Sequence, residues 1–522
     1  MITISLGVAL IVVDTTIVNV IVPAFIEDLG ITSVQAQWTQ ESYAIVVAAL
    51  LLLVGRLADL LGARRVFLAG VVVFGATSVL ASLASTGGLL ILARFLQGAG
   101  AAMILPTSLS LLNATFTGKE RGQAFAVWGS TIGAASALGP LLGGWLAEHA
   151  SWRWAFGINL PLALLICLGT LAFLAPSPRT GGSVDAVGAV LSVLGLGLLA
   201  FGLVEGRTLG WLATVEPLTV LGFSWDSGPS PVLVALCLAA LALTGFVRRQ
   251  AALARSGDPS RALMDVRLFS VVSFRNGNIA SSIIGLGEFG IVAVLPLWLQ
   301  FTLGYSALQA GLALVPLAAG SFLASGASFG MTGKLTPVGL VRLGLILEIA
   351  GLAGLALTAT TDSSWWAIAL ALLLYGVGVG FATAQVTNVV LADIPSGSAG
   401  QGSGIQSAAR ELGFALGIAV LTTVFFSTLG ARLGQILTAT GMPAAQAERF
   451  AGTVTDSAGA AIASLASDPQ TAAVAGAARV AMTEGITLTG YLAAGLLLLG
   501  LIATAFIPAT AAAPSSTEPA RS

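Results

Sequence analysis

Residues 129–144 read GSTIGAASALGPLLGG and lie within an apolar run that is long enough to cross a lipid bilayer. Five glycines and one proline fall in this stretch. Gly139 and Gly143 are four residues apart, so they share one face of a helix. A glycine face lets neighbouring helices approach closely, and Pro140 removes a backbone hydrogen bond and favours a kink. The stretch therefore predicts a membrane helix that packs tightly against its neighbours.

The composition extends this prediction to the whole chain. Of the 522 residues, 56% are hydrophobic and only 9% are charged, whereas a soluble domain carries about 25% charged residues. Apolar runs of bilayer-spanning length recur along the sequence, and we count about fourteen. The chain is predicted to be an all-α integral membrane protein.

The same composition argues against several other classes of protein. A net charge of −1 gives no sign of nucleic-acid binding. One histidine, His149, and two widely separated cysteines, Cys167 and Cys237, predict neither a disulfide framework nor a metal site, and no motif predicts a cofactor. The Gly-Lys pairs at 118–119 and 333–334 are not followed by Ser or Thr, so no ATP-binding loop is predicted.

The sequence also predicts two related halves. Three pairs of glycines share one offset along the chain: Gly55 with Gly333, Gly98 with Gly376, and Gly139 with Gly417. Such an offset predicts two six-helix halves related as a parallel repeat. We place the halves at 1–175 and 276–510, with a two-helix insert and inner loop at 176–275. The second half is expected to contain a long outer loop at 430–484.

Basic residues are distributed unevenly among the predicted loops. If the N-terminus is cytoplasmic, most of the 22 Lys and Arg residues fall in cytoplasmic loops. Both termini are therefore expected on the cytoplasmic side, with residues 511–522 forming a cytoplasmic tail.

Ionisable residues inside the predicted spans are the candidates for chemistry. A charge at the membrane centre costs about 2.5–3.5 kcal/mol on insertion scales, so each one needs a role or a partner. The residues in question are Asp14, Glu41, Arg94 and Glu288, and Asp14 is the deepest acid of the first half. A structural hydrogen bond is the alternative role for Asp14. By depth in the membrane, Arg94 matches Glu41 better than Asp14.

A short link between the second and third predicted spans reads GRLADLLGARR at residues 55–65. Asp59 could pair with Arg64 or Arg65, or cap a neighbouring helix. A charged clamp on a tight link suits a conformational switch, and the predicted switch residues are Gly55, Asp59, Gly62, Arg64 and Arg65. The alternative is that the arginines only set the topology.

Several of these stretches resemble signatures of the major facilitator superfamily. Residues 129–144 are similar to the fifth-helix signature of its drug/proton antiporters, with matching positions at Gly133, Gly139, Pro140, Gly143 and Gly144. Residues 55–65 resemble the superfamily's loop signature, although Ala63 stands where an arginine is common. Residues 14–23 and 151–161 resemble segments of the fourteen-span antiporter group. The fourth-helix stretch 94–100 resembles one in which the arginine is linked to proton transfer, and this resemblance makes Asp14 the partner of Arg94. It implies that Asp14, Glu41, Arg94 and Glu288 take part in proton coupling.

The resemblance implies a major facilitator fold, with two six-helix halves plus two inserted helices. It implies a secondary transporter, not an enzyme, that exports lipophilic drugs or antibiotics in exchange for protons by alternating access. Its partners would be the small-molecule substrate, protons and the lipid of the cell membrane, and the chain would function as a monomer. A nutrient or metabolite proton symporter of the same fold is the first alternative, and an intramembrane enzyme or sensor is a remote one.

Polar and aromatic residues within the spans are candidates for a substrate cavity. Membrane aromatics are more often anchors at the membrane surface, which is the alternative for each of them. The candidates are Asn19, Gln97, Trp298, Tyr375 and Gln385.

Overall fold

The structure is a computed structural model that describes residues 1–31, 33–220, 223–256, 261–331 and 335–507. Within these residues the chain forms eighteen α-helices. They are α1 (Ile2–Leu29), α2 (Ser33–Leu61), α3 (Ala63–Ser82), α4 (Gly87–Thr115), α5 (Gly118–His149), α6 (Arg153–Gly157), α7 (Asn159–Phe173), α8 (Ala186–Leu209), α9 (Pro231–Arg255), α10 (Val272–Phe301), α11 (Ala307–Ala313), α12 (Val315–Met331), α13 (Pro337–Thr358), α14 (Trp365–Leu391), α15 (Ala399–Ala439), α16 (Ala444–Asp456), α17 (Ala461–Ser467) and α18 (Ala472–Ala503). Two short antiparallel strands, β1 (Leu218–Val220) and β2 (Phe223–Trp225), connect α8 to α9.

The helices are long and apolar enough to make a multi-pass membrane protein. Thirteen segments of the described chain pass this test, and α1 adds a fourteenth that bends by 48° between Val18 and Val20. Helices satisfy their own backbone hydrogen bonds, which is why an apolar chain in lipid folds this way. The prediction of about fourteen membrane helices is confirmed.

The predicted repeat is visible in helix packing. Gly139 of α5 lies against Thr16 of α1, where a β-carbon would collide with the threonine hydroxyl. Gly417 of α15 lies against the backbone of Leu286 of α10 in the same way. The fifth helix of each half therefore packs on the first helix of that half through a matched glycine.

A second glycine pair of the repeat makes equivalent contacts. Gly98 of α4 packs on Tyr43 of α2, and Gly376 of α14 packs on Leu317 of α12. In each half the fourth helix thus meets the second. The third predicted pair cannot be compared, because Gly333 lies outside the described residues.

The two halves meet along α2 with α15 and along α5 with α12. At the end of the bundle where α2 turns into α3 through Gly62, here called the Gly62 end, the contact is between backbones. A β-carbon at Gly55 would lie 2.7 Å from the carbonyl oxygen of Gly400 and 3.0 Å from Cα of Gly404. The halves are therefore closed against each other at this end.

The inserted helices α8 and α9 pair with each other, and α8 also packs on α2 and α15. Asp185, just before α8, accepts a hydrogen bond from Nε of Arg249 on α9 at 2.8 Å. Burial raises the pKa of Asp185, but hydrogen bonds from Arg249 and Gly188 outweigh it, so this pKa lies below its ordinary value. A charged pair thus ties the two inserted helices together at the Gly62 end.

The region 430–484, which we expected to be a long outer loop, is largely helical. Helix α15 continues to Ala439 and α18 begins at Ala472, with α16 and α17 between them. Alanine is the strongest helix former, so this alanine-rich segment extends the spans. An ion pair between Arg432 and Glu484 joins the two extensions. The predicted tail 511–522 lies outside the described residues.

Candidate functional site

A cluster of buried polar side chains joins four helices of the first half. The Asp14 carboxylate accepts hydrogen bonds from Nη1 of Arg94 at 2.5 Å, Nε2 of Gln97 at 2.9 Å and Nδ2 of Asn159 at 2.6 Å. Gln97 and Asn159 also donate to the hydroxyl of Ser78. All five side chains are buried. Three donors, one of them a cation, therefore surround the Asp14 carboxylate and fix it between these helices.

Arg94 also binds α2. Its Nε donates to the carbonyl oxygen of Thr39 at 3.1 Å, and its guanidinium carbon lies 4.2 Å from the ring centroid of Tyr43. The depth-based preference for Glu41 as the partner of Arg94 is therefore wrong. The depth of a residue in the membrane does not specify which side of a helix it faces. Thr39 and Tyr43 are four residues apart and face Arg94, whereas Glu41, midway between them, points to another side of α2.

Glu41 lies where α2 meets the inserted helix α8. Its Oε1 accepts a hydrogen bond from Nε2 of Gln37 at 2.7 Å. Glu205 of α8, a helix that packs on α2, is only 2% exposed. Glu205 was not among the predicted site residues, because an acid at the end of a predicted span is ordinary.

In the second half, Glu288 of α10 lies in a different environment. Its Oε1 accepts one hydrogen bond, from the hydroxyl of Thr383 at 3.3 Å. The residue lines a cavity of about 10 Å³ together with Arg410 of α15, which is roughly the room that one water molecule needs. Glu288 thus has fewer donors than Asp14 and has space for water beside it.

Two further residues of the second half surround Glu288. The hydroxyl of Tyr375 donates to the backbone carbonyl oxygen of Glu288 at 2.7 Å. Glu348 of α13 is fully buried, and within the described chain neither of its carboxyl oxygens has a hydrogen-bond partner. Such a group is costly to ionise, so we expect Glu348 to be neutral.

The structure does not bring the predicted cavity residues together. Trp298 is buried and donates through Nε1 to the Thr483 hydroxyl at 3.1 Å, which fixes it between α10 and α18. Gln97 belongs to the Asp14 cluster, and Gln385 is buried and donates to Ser328 at 3.4 Å. Tyr375 lies beside Glu288, and the side chain of Asn19 is outside the described part of the chain. The polar groups of Trp298, Gln97 and Gln385 therefore bond to side chains of neighbouring helices.

The predicted switch residue Asp59 caps a helix of the other half. Its carboxylate accepts the backbone N–H of Gly400 at 2.6 Å and that of Gln401 at 2.9 Å, in the first turn of α15. A carboxylate at this position is stabilised by the partial positive charge of the helix N-terminus. The sequence allowed Asp59 either to pair with Arg64 or Arg65 or to cap a neighbouring helix, and the structure shows the helix cap.

The arginines of the switch stretch make other contacts. The guanidinium of Arg64 donates to the carbonyl oxygens of Thr170 at 3.3 Å and Leu171 at 3.0 Å, near the end of α7. Arg65 is exposed. Gly62 has a φ of 92°, a conformation that favours glycine. Asp59 and Arg64 thus act on different helices instead of pairing with each other.

The glycines of α5 face two different helices. Gly139 and Gly143 pack on α1, where a β-carbon at Gly143 would lie 2.9 Å from Ile17. Gly133 packs on Ser321 of α12, in the other half, where a β-carbon at position 133 would lie 2.7 Å from the serine hydroxyl oxygen. A β-carbon at Gly144 would meet only Leu308, at 3.9 Å. The side chain of Pro140 is outside the described residues.

Two helical halves with buried ionisable groups, joined by a capped and glycine-lined contact, have the architecture of alternating-access membrane transporters. The family model described as Major Facilitator Superfamily matches residues 4–418. The chain belongs to this superfamily.

Characterised relatives cover most of the chain. The puromycin resistance protein of Streptomyces alboniger is 34% identical over 428 residues, 80% of this chain and 79% of its own length. The probable actinorhodin transporter of Streptomyces coelicolor is 33% identical and covers 80% of this chain and 71% of its own. The multidrug efflux pump LfrA of Mycolicibacterium smegmatis is 31% identical and covers 95% and 93%.

Solved structures agree with the fold. A crystal structure of the human organic anion transporter MFSD10 matches with a TM-score of 0.59 and 14% identity, covering 96% of this chain and 98% of that one. A double tryptophan variant of XylE matches with a TM-score of 0.60 and 14% identity, covering 97% and 95%. At this identity the likeness supports the fold alone.

Proposed function

We propose that this protein is a secondary transporter that exports lipophilic drugs or antibiotics in exchange for protons. The relatives support export, since their names describe antibiotic transport, antibiotic resistance and multidrug efflux. Proton coupling rests on one observation: Glu288 is a buried carboxyl with a single hydroxyl donor and room for water. Such a group can exchange its proton, whereas Asp14 is held by three donors.

Alternating access would use the contact between the halves. Asp59 caps α15, and Arg121 of α5 donates to Asn388 and to the carbonyl oxygen of Ala392, each at 3.2 Å. Both contacts hold the Gly62 end shut. We assign this end to the cytoplasm from the distribution of basic residues. The state described is then the one closed to the cytoplasm, and export requires these contacts to break and re-form.

The division of the chain follows the same proposal. Residues 1–175 and 276–510 are the two moving halves, and the insert at 176–275 flanks them. The protein would act as a monomer in the cell membrane, with both termini cytoplasmic.

The free energy of the proton gradient is large enough to drive export against a substrate gradient. One proton crossing about 100 mV releases about 2.3 kcal/mol, and each pH unit adds about 1.4 kcal/mol. One exchanged proton could therefore sustain a substrate gradient of a few hundredfold.

Everted membrane vesicles test the proposal directly. A panel of antibiotics screened in an efflux-deficient host first identifies a substrate. Vesicles that contain the protein should then accumulate this substrate when their interior is acidified, and a proton carrier should abolish the accumulation. Substrate uptake into right-side-out vesicles down the proton gradient would show a symporter and overturn the proposal.

A further inference from the structure

The segment that precedes the inserted helices is bonded to the first half of the protein. The backbone N–H of Thr180 donates to the carbonyl oxygen of Asp59 at 2.9 Å, in the last turn of α2. The backbone N–H of Arg64, near the start of α3, donates to Oγ of Ser177 at 3.0 Å. The segment between α7 and α8 is therefore fixed to the first half at the Gly62 end.

The segment that follows the inserted helices is bonded to the second half. The backbone N–H of Asp265 donates to Oε1 of Gln401 at 2.8 Å. Gln401 lies in the first turn of α15 and is only 5% exposed. Its own backbone N–H donates to the carboxylate of Asp59, so one residue of α15 bonds both to α2 and to the segment after α9. The buried side chains of Leu263 and Met264 pack into the large hydrophobic cluster of the bundle and hold this segment in place.

One glutamine joins the two segments to each other. Gln250 of α9 is fully buried, and a buried amide needs partners for its donor and for its acceptor. Its Nε2 donates to Oδ2 of Asp185, just before α8, at 3.1 Å. Its Oε1 accepts the backbone N–H groups of Leu263 at 3.0 Å and Met264 at 3.3 Å. The Gln250 side chain therefore connects the segment before α8 to the segment after α9.

Together these bonds form a path from one half to the other, here called the strap, which consists of residues 177–185, Gln250 and residues 261–265. The strap runs beside the direct contact between Asp59 and α15. Its attachment to α15 is weaker than its connection to α9, because one N–H group bonds to Gln401 and two bond to Gln250. Each bond between neutral groups contributes only modestly to stability, so the single bond should break first.

We propose that the insert acts as a strap that keeps the Gly62 end closed, and that the strap releases at the bond between Asp265 and Gln401 when the halves separate. The insert then moves with the first half. The strap acts in addition to the cap that Asp59 places on α15, and no charged group takes part in the bond at which it releases. The proposal rests on the proposed function in one respect, because it requires that the Gly62 end opens during transport.

Two variants break this bond from opposite sides. Asp265→Pro removes the N–H donor, and the φ of −74° at this position is close to the value that proline requires. Asp265→Ala is its matched control, because it also loses the carboxylate that pairs with Arg267 but keeps the backbone N–H. Gln401→Met removes the acceptor and keeps the backbone N–H that donates to Asp59.

Opening is measured by distances between electron spin labels on the purified full-length protein. The labels are attached to introduced cysteines after the two native cysteines are replaced by alanine. Labels at the exposed residues Glu120 and Gly397, one in each half, report the Gly62 end. Asp265→Pro and Gln401→Met should each raise the ratio of open to closed molecules roughly three- to tenfold relative to the wild type. Asp265→Ala should leave this ratio unchanged.

A third label follows the insert itself. Ser256 is exposed at the end of α9, and Leu61 is half exposed at the end of α2. In the open molecules the distance from Ser256 to Gly397 should lengthen, because Gly397 belongs to the second half. The distance from Ser256 to Leu61 should stay the same, because the insert remains bonded to the first half.

A second glutamine of α15 gives a further control. Nε2 of Gln406 donates to Oγ of Ser281 on α10 at 3.1 Å, which is a bond within the second half. Gln406→Met should therefore leave the label distances unchanged. The double variant Asp265→Pro with Gln401→Met loses the same bond from both sides, so it should open no further than either single variant. Thermal unfolding of each variant in detergent checks that it is folded.

Two results of the distance measurements overturn the strap. Wild-type distances in both Asp265→Pro and Gln401→Met would show that the insert only flanks the halves. A longer distance between Ser256 and Leu61 in the open molecules would show that the insert leaves the first half. Vesicle transport is measured separately. Export by a protein whose strap variants keep wild-type distances overturns the strap and leaves the exporter, whereas opening that follows the strap without any export overturns the exporter and leaves the strap.

Discussion

The backbone N–H of Gly400 donates to Oδ1 of Asp59 at 2.6 Å, and this bond connects the two halves of the protein. Asp59 lies in the last turn of α2 in the first half, and Gly400 lies in the first turn of α15 in the second half. Among the described residues, no N–H group of α15 donates to the side chain of Ser398, the residue before this helix. A carboxylate from the other half therefore supplies the cap, and it can do so only while the Gly62 end is closed.

Asp59→Asn should open the Gly62 end. The neutral amide loses the charge-assisted bonds to the α15 N-terminus, which contribute about 1.5–3 kcal/mol. The population should shift about tenfold or more towards the state open at this end, and transport should slow with little change in substrate affinity. Electron spin labels at exposed Glu120 and Gly397, one in each half, should report longer distances.

The control for this variant is Asp28→Asn. Asp28 pairs with Arg153 within the first half, at the opposite end of the bundle. Its loss should leave the distance distribution at the Gly62 end unchanged. An unaltered distribution together with wild-type transport in Asp59→Asn would show that the link only sets topology.

Gly139→Ala should destabilise the protein and slow transport. The added methyl group collides with the hydroxyl of Thr16 and the backbone of Ile17, and overpacking of this kind costs about 1–3 kcal/mol. Gly144→Ala, on the same helix, meets only Leu308 at an ordinary distance and should be neutral or slightly stabilising. Thermal unfolding in detergent and vesicle transport measure both. Equal effects of the two variants would contradict a close approach at Gly139.

The sequence predicted the helices better than the contacts between them. Span length was sufficient for the fourteen helices, and glycine spacing was sufficient for a close helix approach at Gly139, but not for which helix lies there. These features are local, because each depends on a run of neighbouring residues. The extent of helix at 430–484 was underestimated, because this stretch is less apolar than a span, although its alanine content favours helix.

The partners of the buried charges depend on helix rotation and tertiary packing, which a single sequence does not specify. Arg94 could be matched by depth to Glu41, yet the phase of α2 turns Thr39 and Tyr43 towards it. Glu205 shows the same limit. It belongs to the insert, whose position against α2 no repeat or spacing indicated, so its burial could not be predicted.

Asp14→Asn should clearly lower the stability of the protein and should have only a smaller effect on proton-coupled transport. The substitution leaves the buried Arg94 without its counter-ion, and breaking a buried ion pair costs about 3–5 kcal/mol. We expect a clear loss of thermal stability in detergent. This expectation replaces the role of main coupling acid that the sequence suggested for Asp14.

A double-mutant cycle tests the pair. Arg94→Gln alone should also destabilise, because it leaves the carboxylate with two amide donors in place of three donors. The double variant Asp14→Asn with Arg94→Gln has no buried charge left at this site, so its loss should be smaller than the two single losses added together. Additive losses would mean that the two side chains do not stabilise each other.

Glu288→Gln should uncouple transport from the proton gradient. The amide keeps the size of the side chain and can still bond to the Thr383 hydroxyl, but it cannot release a proton. Uphill accumulation in everted vesicles with an acidic interior should be lost, while downhill exchange of substrate should remain.

The comparison with the other acids decides the assignment. Glu41→Gln is compared in the same assay, because Glu41 lies at the seam beside α8 and not in the cavity with Arg410. Asp14→Asn should still concentrate some substrate, because three donors already occupy the Asp14 carboxylate in the wild type. If Glu288→Gln accumulates substrate like the wild type and Asp14→Asn does not, the coupling acid is Asp14 and the three donors around it must separate during transport. Wild-type accumulation in all three variants would mean that no one of these carboxyls couples the proton to the substrate.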